Sequence, residues 1–376
     1  MKSAELLAEA EELLRTGRAD EALPIAVKSL KILQRDSVST KTQSLPALNL
    51  IAEIHLELGD ADSATKYFLS AVKLDPQGTV GGAEPFLWLA QLSEEGGHDS
   101  VKWFEKGAKI LRNQLAKMTV EDYGADAEKR KKLASSLCGI IEVYMTDLSW
   151  EDDAEEKCES LIAESLLVAP HSPEPLQTLA SIRISQARIE EAKRALGDSM
   201  DLWKDLEPED GDVPDFPTRI SLARLLMEAE MEEEALEVVE RLVGEDDQSV
   251  EAWYLGGWCL YLLGQKRKEN GTTMTNGTKN GNNDEDLYTA SMVSSREWLR
   301  QSLKLYDLLE YEDERLRDHA LELVEALDQE LQQHDANGAG DDDDDDVEEE
   351  WDGIDDDADE VDDGEDKDED HEMDGT

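Results

Sequence analysis

The chain has 376 residues, of which 92 are Asp or Glu and 37 are Lys or Arg, so its formal net charge at pH 7 is −55. Such an acidic chain repels phosphate groups, which argues against direct binding to nucleic acid or to an anionic membrane surface. The first residues form no apolar signal core, and no run approaches the roughly 20 apolar residues of a membrane span. The three scattered cysteines, Cys138, Cys158 and Cys259, are typical of reduced thiols in a cytosolic or nuclear protein.

Residues 48–76 have the pattern of two helices joined by a short turn at Gly59. In the second helix Ala64, Phe68 and Ala71 follow at helical spacing, and Pro76 stops the helix. Small residues let two helices approach closely, and an aromatic ring fills the space toward the next hairpin. This hairpin, with a period of about 34 residues, resembles a tetratricopeptide repeat.

Weaker copies of the pattern follow one another along the chain. They occupy residues 3–35, 87–111, 133–170, 176–196, 222–239 and 253–303. An Asn-, Gly- and Thr-rich stretch near 265–287 interrupts the last copy and predicts a flexible insertion. An amphipathic segment over 312–334 is expected to cap the array. The sequence therefore predicts an all-α tetratricopeptide-repeat superhelical solenoid over residues 1–335, with about seven hairpins and a C-terminal capping helix.

The C-terminal end of the sequence is almost entirely acidic. Residues 341–376 contain 24 Asp or Glu and one Lys, a net charge of −23, which leaves −32 for residues 1–340. Because such a segment repels itself and offers little apolar surface, residues 336–376 are predicted to be a disordered acidic tail. Such a tail is consistent with a solubilising brush and with an electrostatic attraction for a strongly basic partner.

The sequence contains no pattern typical of an active site. Its six histidines and three cysteines have no metal-ligand spacing, and no glycine-rich loop could hold a phosphate. His55 is interpreted as a polar residue on a packing helix rather than a ligand. We therefore expect a binding protein that is not an enzyme and uses no metal and no cofactor.

The first helices of stacked hairpins form the inner face of a solenoid, which is its usual binding surface. One stripe on this face is aromatic: Tyr254, Trp258 and Tyr261 follow at i, i+4 and i+7. These rings could pack the last hairpin against its cap, or they could anchor an extended client in the groove. The predicted client-binding groove consists of Asn49, Glu53, Glu57, Gln91, Glu142, Ser181, Arg224, Tyr254, Trp258 and Tyr261. Its acidic members favour a basic ligand.

Four stretches resemble the fungal tetratricopeptide chaperones dedicated to large-subunit ribosomal protein L-four. They are Leu6–Leu14, the Ala-Trp-Tyr-Leu-Gly-Gly-Trp run at 252–258, the polar insertion after Gly264, and the acidic end with Glu349-Glu350-Trp351. The resemblance implies a superhelix that cradles the long basic internal loop of the ribosomal protein and shields it before ribosome assembly. It also implies a cytoplasmic and nuclear location, and an importin that joins through the client.

Two other functions fit the composition. A chaperone of histones or of nuclear-import cargo would be similarly acidic, and a scaffold subunit of a regulatory complex would have the same repeats. A charge-shielding chaperone should lose affinity steeply as salt rises, whereas a scaffold should not. We expect a monomer that binds a basic protein and neither nucleic acid nor a membrane.

Overall fold

The structure, a computed structural model, describes residues 2–35, 41–117, 123–273 and 281–338. Over these ranges it contains fifteen α-helices, one short 3-10 helix over Lys41–Ser44, and no strand. The first eight helices are α1 Lys2–Arg15, α2 Ala19–Arg35, α3 Leu45–Glu57, α4 Ala61–Leu74, α5 Glu84–Gln91, α6 Gly97–Leu115, α7 Tyr123–Met145 and α8 Ala154–Val168. The other seven are α9 Pro173–Ser185, α10 Ile189–Met200, α11 Phe216–Glu228, α12 Glu232–Glu245, α13 Val250–Thr273, α14 Gly281–Leu308 and α15 Glu314–Gly338.

The helices are arranged as consecutive hairpins. Each odd-numbered helix from α1 to α13 packs against the even-numbered helix that follows it, and each even-numbered helix up to α12 packs against the next odd one. Leu316, Ala320 and Leu327 of α15 are buried in the same apolar core as residues of α13 and α14. This all-α solenoid of hairpins, with a further helix after the last one, confirms the predicted fold class.

A triad of buried residues at i, i+4 and i+7 recurs in the second helix of every hairpin. In α4 the triad is Ala64, Phe68 and Ala71, each at most 1% exposed, and it packs near Ala52 of α3 and Leu89 of α5. The equivalent triads are Ala22-Ala26-Ser29, Ser100-Phe104-Gly107, Cys158-Ile162-Ser165, Ala192-Leu196-Ser199, Ala235-Val239-Leu242 and Ser295-Leu299-Ser302. Small outer members let the paired helices approach, and the middle side chain fills the space between hairpins.

Local chemistry fixes where α3 ends and α4 begins. Gly59 has φ +73°, which an L side chain rarely adopts, so glycine makes the tight turn. The Asp60 carboxylate then accepts the Ser63 backbone N–H at 3.0 Å and caps α4. Beyond α4, the Asp75 carboxylate accepts the backbone N–H groups of Val80 and Gly81 at 2.7 and 2.8 Å, which folds the connection to α5 compactly.

Most of the insertion predicted near 265–287 lies in the ends of two helices, and its flexibility stays a prediction. Helix α13 continues to Thr273 and α14 begins at Gly281, while residues 274–280 lie outside the described ranges. Lys266 Nζ contacts Glu232 Oε2 at 2.5 Å, and Lys268 forms an ion pair with Glu330. These contacts to α12 and α15 stabilise a helical segment whose composition alone disfavours helix.

Contacts divide the chain into two compact units, Met1–Leu331 and Gln332–Thr376. In the second unit the structure describes residues 332–338, which are helical. The acidic tail predicted for 336–376 lies outside the described residues from 339 onward, so its disorder stays a prediction. No helix in the described part of the chain is long and apolar enough to cross a membrane.

Candidate functional site

The first helices of the middle hairpins enclose a cavity of about 890 Å³. Gln91 at the end of α5, Glu142 on α7, Ser181 on α9 and Arg224 on α11 all line it. The structure therefore brings four of the predicted groove residues to one surface, each contributed by a different first helix. We call this surface the inner cavity.

Carboxylates dominate the charge of the inner cavity. Glu142, Asp147, Glu174 and Glu228 line it, and Arg224 is the single cationic side chain in the lining. The Arg224 guanidinium is already bound, because its Nη2 donates to Glu251 Oε1 at 2.5 Å. A cationic side chain entering the cavity would meet several carboxylates and little opposing positive charge.

Glu174 is a carboxylate of this lining whose pKa is raised by its surroundings. Burial raises its pKa, and the nearby charges of Asp215 and Glu142 raise it further, against a hydrogen bond from Ser135. The residue lies in the first turn of α9, where the helix dipole favours a negative charge, so the neighbouring acids and burial outweigh that effect. The Glu174 carboxylate therefore lies where no nearby cation lowers its pKa.

Cys138 also lines the inner cavity, but its thiol is inert. Burial raises its pKa to about 12, and its Sγ lies 3.5 Å from Ser165 Oγ. A thiol of that pKa is almost wholly protonated at neutral pH and is a poor nucleophile.

Three predicted groove residues lie on α3, outside the lining of the inner cavity. Burial raises the pKa of Glu53, as do the nearby Glu84 and Glu11, whereas Lys132 lowers it. Asn49 Oδ1 is buried and has no hydrogen-bond partner, and Glu57 is exposed at the end of the helix. Helix α3 thus also places carboxylates among the first helices, with little positive charge nearby to offset them.

A second, more apolar cavity of about 470 Å³ lies between α11, α13 and α15. We call it the aromatic cavity. Its lining consists of Arg224, Met227, Glu228, Tyr254, Leu255, Trp258, Leu262, Asp313, Arg315 and Leu316. Because Arg224 and Glu228 also line the inner cavity, the two cavities adjoin each other.

Tyr254 and Trp258 both pack against the last helix and line the aromatic cavity. Tyr254 is 8% exposed, and a hydrogen bond of 2.6 Å joins its Oη to His319 Nδ1 on α15. The Trp258 ring meets the His319 ring edge-on at 5.0 Å between centroids. Burial raises the pKa of Tyr254 to about 12. Tyr254 and Trp258 can therefore both pack against α15 and contact a ligand in the aromatic cavity.

Tyr261 does not line the aromatic cavity; Leu262 does. At 3.6 residues per turn, position i+7 falls on the opposite side of Tyr254 from Trp258, whereas i+8 falls beyond Trp258 on the same side. Tyr261 instead packs, half-buried, on the apolar core. The side chains of α13 that line the aromatic cavity are therefore Tyr254, Leu255, Trp258 and Leu262, and contact between Tyr261 and a client stays a prediction.

Several charged side chains that line the inner cavity were not predicted from the sequence. Glu174 and Glu228 follow the same inner-face periodicity as Ser181 and Arg224, so the repeat register could have identified them. Asp147 lies in the turn after α7, and its Oδ2 accepts the Gly97 N–H at 2.8 Å, a contact without any local sequence signal. Among the described residues, no group of three or more His, Cys, Asp or Glu could hold a metal ion.

Comparisons with known proteins agree with this architecture. The tetratricopeptide repeat family matches residues 45–77. A protein of Emericella nidulans called "Probable assembly chaperone of rpl4" is 53% identical, covering 93% of this chain and 88% of that protein. A protein of the same description from Schizosaccharomyces pombe is 35% identical, covering 86% of this chain and 90% of that protein.

A solved structure is also similar. The structure described as "Assembly Chaperone of RpL4 (Acl4) (Residues 1-338)" superposes with a TM-score of 0.65 at 50% identity, covering 72% of this chain and 99% of that one. The chain belongs to the family of tetratricopeptide-repeat assembly chaperones of rpl4.

Proposed function

We propose that this chain is a dedicated chaperone of rpl4, ribosomal protein L-four, and that it holds a basic, extended segment of that client in the inner cavity. The observation that carries the proposal is the excess of carboxylates there, four against one already paired arginine. The names of the relatives identify rpl4 as the client, and the acidic lining of the inner cavity indicates that the bound segment is basic. The long internal loop of the client is the segment we propose.

The binding energy comes from relieving unfavourable charge. Glu174 and Glu142 lie near enough to each other to raise the pKa of Glu174. A lysine or arginine of the client placed between them would restore a counter-charge and donate hydrogen bonds, each worth about 1.5–3 kcal/mol to a carboxylate. Several such contacts along the first helices would neutralise a loop that otherwise binds nucleic acid indiscriminately.

The aromatic cavity supplies a second kind of contact. Trp258 and Leu262 line an apolar space of about 470 Å³ directly beside the carboxylates of the inner cavity. An apolar side chain next to the basic part of the loop would fit there and fix the position of the bound segment. Buried aromatic anchors of this type often dominate the affinity of an interface.

The remaining features of the proposal follow from this mode of binding. The chain acts by binding rather than catalysis, as a monomer without a cofactor. It accompanies its client from the cytoplasm to the nucleus, with an importin engaged through the client, and it binds neither nucleic acid nor membrane.

The test compares two charge reversals in the full chain. Glu142→Lys places a cation in the inner cavity, whereas Glu240→Lys makes the same change on the exposed side of α12. We expect Glu142→Lys to weaken binding to purified rpl4 at least tenfold and Glu240→Lys to have little effect. The helical melting curves of both variants should match that of the wild type. Wild-type affinity should fall steeply as salt rises.

Three results would contradict the proposal. Equal losses from both variants would mean that only overall charge matters. Binding that ignores salt would favour a scaffold, and tighter binding of a histone than of rpl4 under the same conditions would favour a histone chaperone.

A further inference from the structure

The outer face of the first three hairpins has a row of lysines in the repeat register. Lys31, Lys73 and Lys109 each lie two residues after the last member of the buried triad in α2, α4 and α6, and all three are exposed. Because equivalent positions of stacked repeats follow one another along a solenoid, these side chains form a row. We call it the lysine row.

The cations of the lysine row lack ion-pair partners among the described residues, although acidic residues outnumber basic ones by 92 to 37 in the chain. On the second helices of later hairpins and in the turn after α10, Lys157, Lys204 and Arg241 have carboxylate partners within 3.5 Å, whereas Arg194 and Lys304 have no ion pair among the described residues. In such an acidic protein, cations left unpaired in register are available for an external anion.

The helices that carry the row have a positive balance of their own. Helix α2 has three cationic residues against two carboxylates, α4 has two against one, and α6 has four against two. Their first-helix neighbours have the opposite balance: α3 contains Glu53 and Glu57 and no Lys or Arg. The sign of the charge therefore changes from the inner to the outer face of these hairpins.

The row leads to a cavity and then to an apolar residue. Lys109 lines a space of about 380 Å³ together with Glu105, Arg112 and Lys157, but Arg112 is paired with Glu164 and Lys157 with Glu151 and Asp153, so Lys109 is the unpaired cation of this lining. In the next hairpin the position equivalent to Lys109 is Leu167, which is 79% exposed. The surface thus offers consecutive unpaired cations, a cavity beside Lys109 and an exposed apolar side chain.

We propose that the lysine row is a docking surface for an acidic segment of a partner protein, bound while the inner cavity holds the basic client. Charge complementarity identifies the segment as rich in Asp and Glu. A single-stranded nucleic acid would need aromatic rings for its bases to stack on. The ring available on α6, Trp103, is half-buried, and Lys106 Nζ lies over it at 4.3 Å from the centroid.

The test uses a fluorescent oligoglutamate peptide and the full chain. Lys73→Glu/Lys109→Glu reverses two cations of the row, and Arg194→Glu/Lys304→Glu reverses two exposed cations of later hairpins, so the net charge changes equally. Glu is a good helix former, and all four positions are exposed, so both variants should fold. Peptide binding should fall about tenfold or more in the row variant and change little in the control.

Four outcomes would overturn the proposal. Equal weakening in both variants, or no binding of the peptide with or without residues 341–376, would show that the row is not a site. A single-stranded RNA that binds more tightly than the peptide, and is lost with the same variant, would make the surface a nucleic-acid site. Peptide binding only after removal of residues 341–376 would assign the row to the chain's own acidic end. Unchanged rpl4 binding by the row variant would show that client binding is separate from this site.

Discussion

Replacing Glu174 by Gln should stabilise the free protein and weaken its binding to rpl4 at the same time. Burial and the charges of Asp215 and Glu142 raise the pKa of Glu174, so its ionised form is less favourable in the folded chain than in the unfolded one. Glutamine keeps the shape of the side chain and removes the charge. The substitution therefore removes an unfavourable interaction from the free protein and a counter-charge from the complex.

The sign of the pH dependence follows from the raised pKa. The folded state binds the proton more tightly than the unfolded state, so stability falls as pH rises from the unfolded pKa through the folded one, and the cost is complete above both. Single substitutions that improve the charge or packing of a protein commonly add about 0.5–2 kcal/mol to its stability. For a chain of this size that is roughly 1–4 °C in the melting midpoint. Losing one charged hydrogen bond to the client, about 1.5–3 kcal/mol, raises the Kd for rpl4 about 10- to 100-fold.

Thermal melting followed by circular dichroism and a titration with purified rpl4 measure the two effects. Glu240→Gln, the same change on the exposed side of α12, is the control and should alter neither quantity. The stability difference between wild type and Glu174→Gln should shrink at pH values below the unfolded pKa, where both side chains are neutral. A lower melting midpoint in Glu174→Gln, or an unchanged affinity for rpl4, would refute the reasoning.

Three further variants test packing and the aromatic cavity. Ala64→Leu should overpack the contact between α3 and α4 and cost about 1–3 kcal/mol in urea denaturation; no loss would mean that Ala64 is not a helix contact. Gly256→Ala should lower the melting midpoint because its Cβ would lie 2.2 Å from the Trp298 ring, whereas Gly197→Ala, with nothing within 4 Å, should not. Trp258→Ala should weaken rpl4 binding by about 2 kcal/mol with its melting curve preserved; a collapsed curve would make it a core residue only.

The repeat register made the fold predictable from the sequence. A buried triad at i, i+4 and i+7 recurs in all seven second helices, and in five of them a large residue lies between two small ones, as in Ala64, Phe68 and Ala71. Inner-face residues follow from the same register, which is why Gln91 and Glu142 were placed correctly on one surface. Their role in client binding stays a prediction.

Features that depend on contacts distant in sequence were not predictable. The helical extension of α13 past Gln265 depends on Lys266 and Lys268 reaching carboxylates of α12 and α15. The position of Asp147 depends on the Gly97 N–H, 50 residues away. Whether Leu262 or Tyr261 lines the aromatic cavity depends on how α13 is rotated relative to α15. Counting residues in heptads does not determine that rotation closely enough.

The net charge of the whole chain does not predict what each face of the solenoid binds. At physiological ionic strength the Debye length is about 8 Å, and a helix with its side chains is about 10–12 Å thick. Charges on the inner and outer faces of a hairpin are therefore more than one screening length apart, and each face acts through its own potential. A chain with a net charge of −55 can in this way present carboxylates such as Glu53 and Glu142 on its first helices and unpaired lysines such as Lys73 and Lys109 on its second helices. The argument from overall charge against anionic partners consequently applies to the inner face and not to the lysine row.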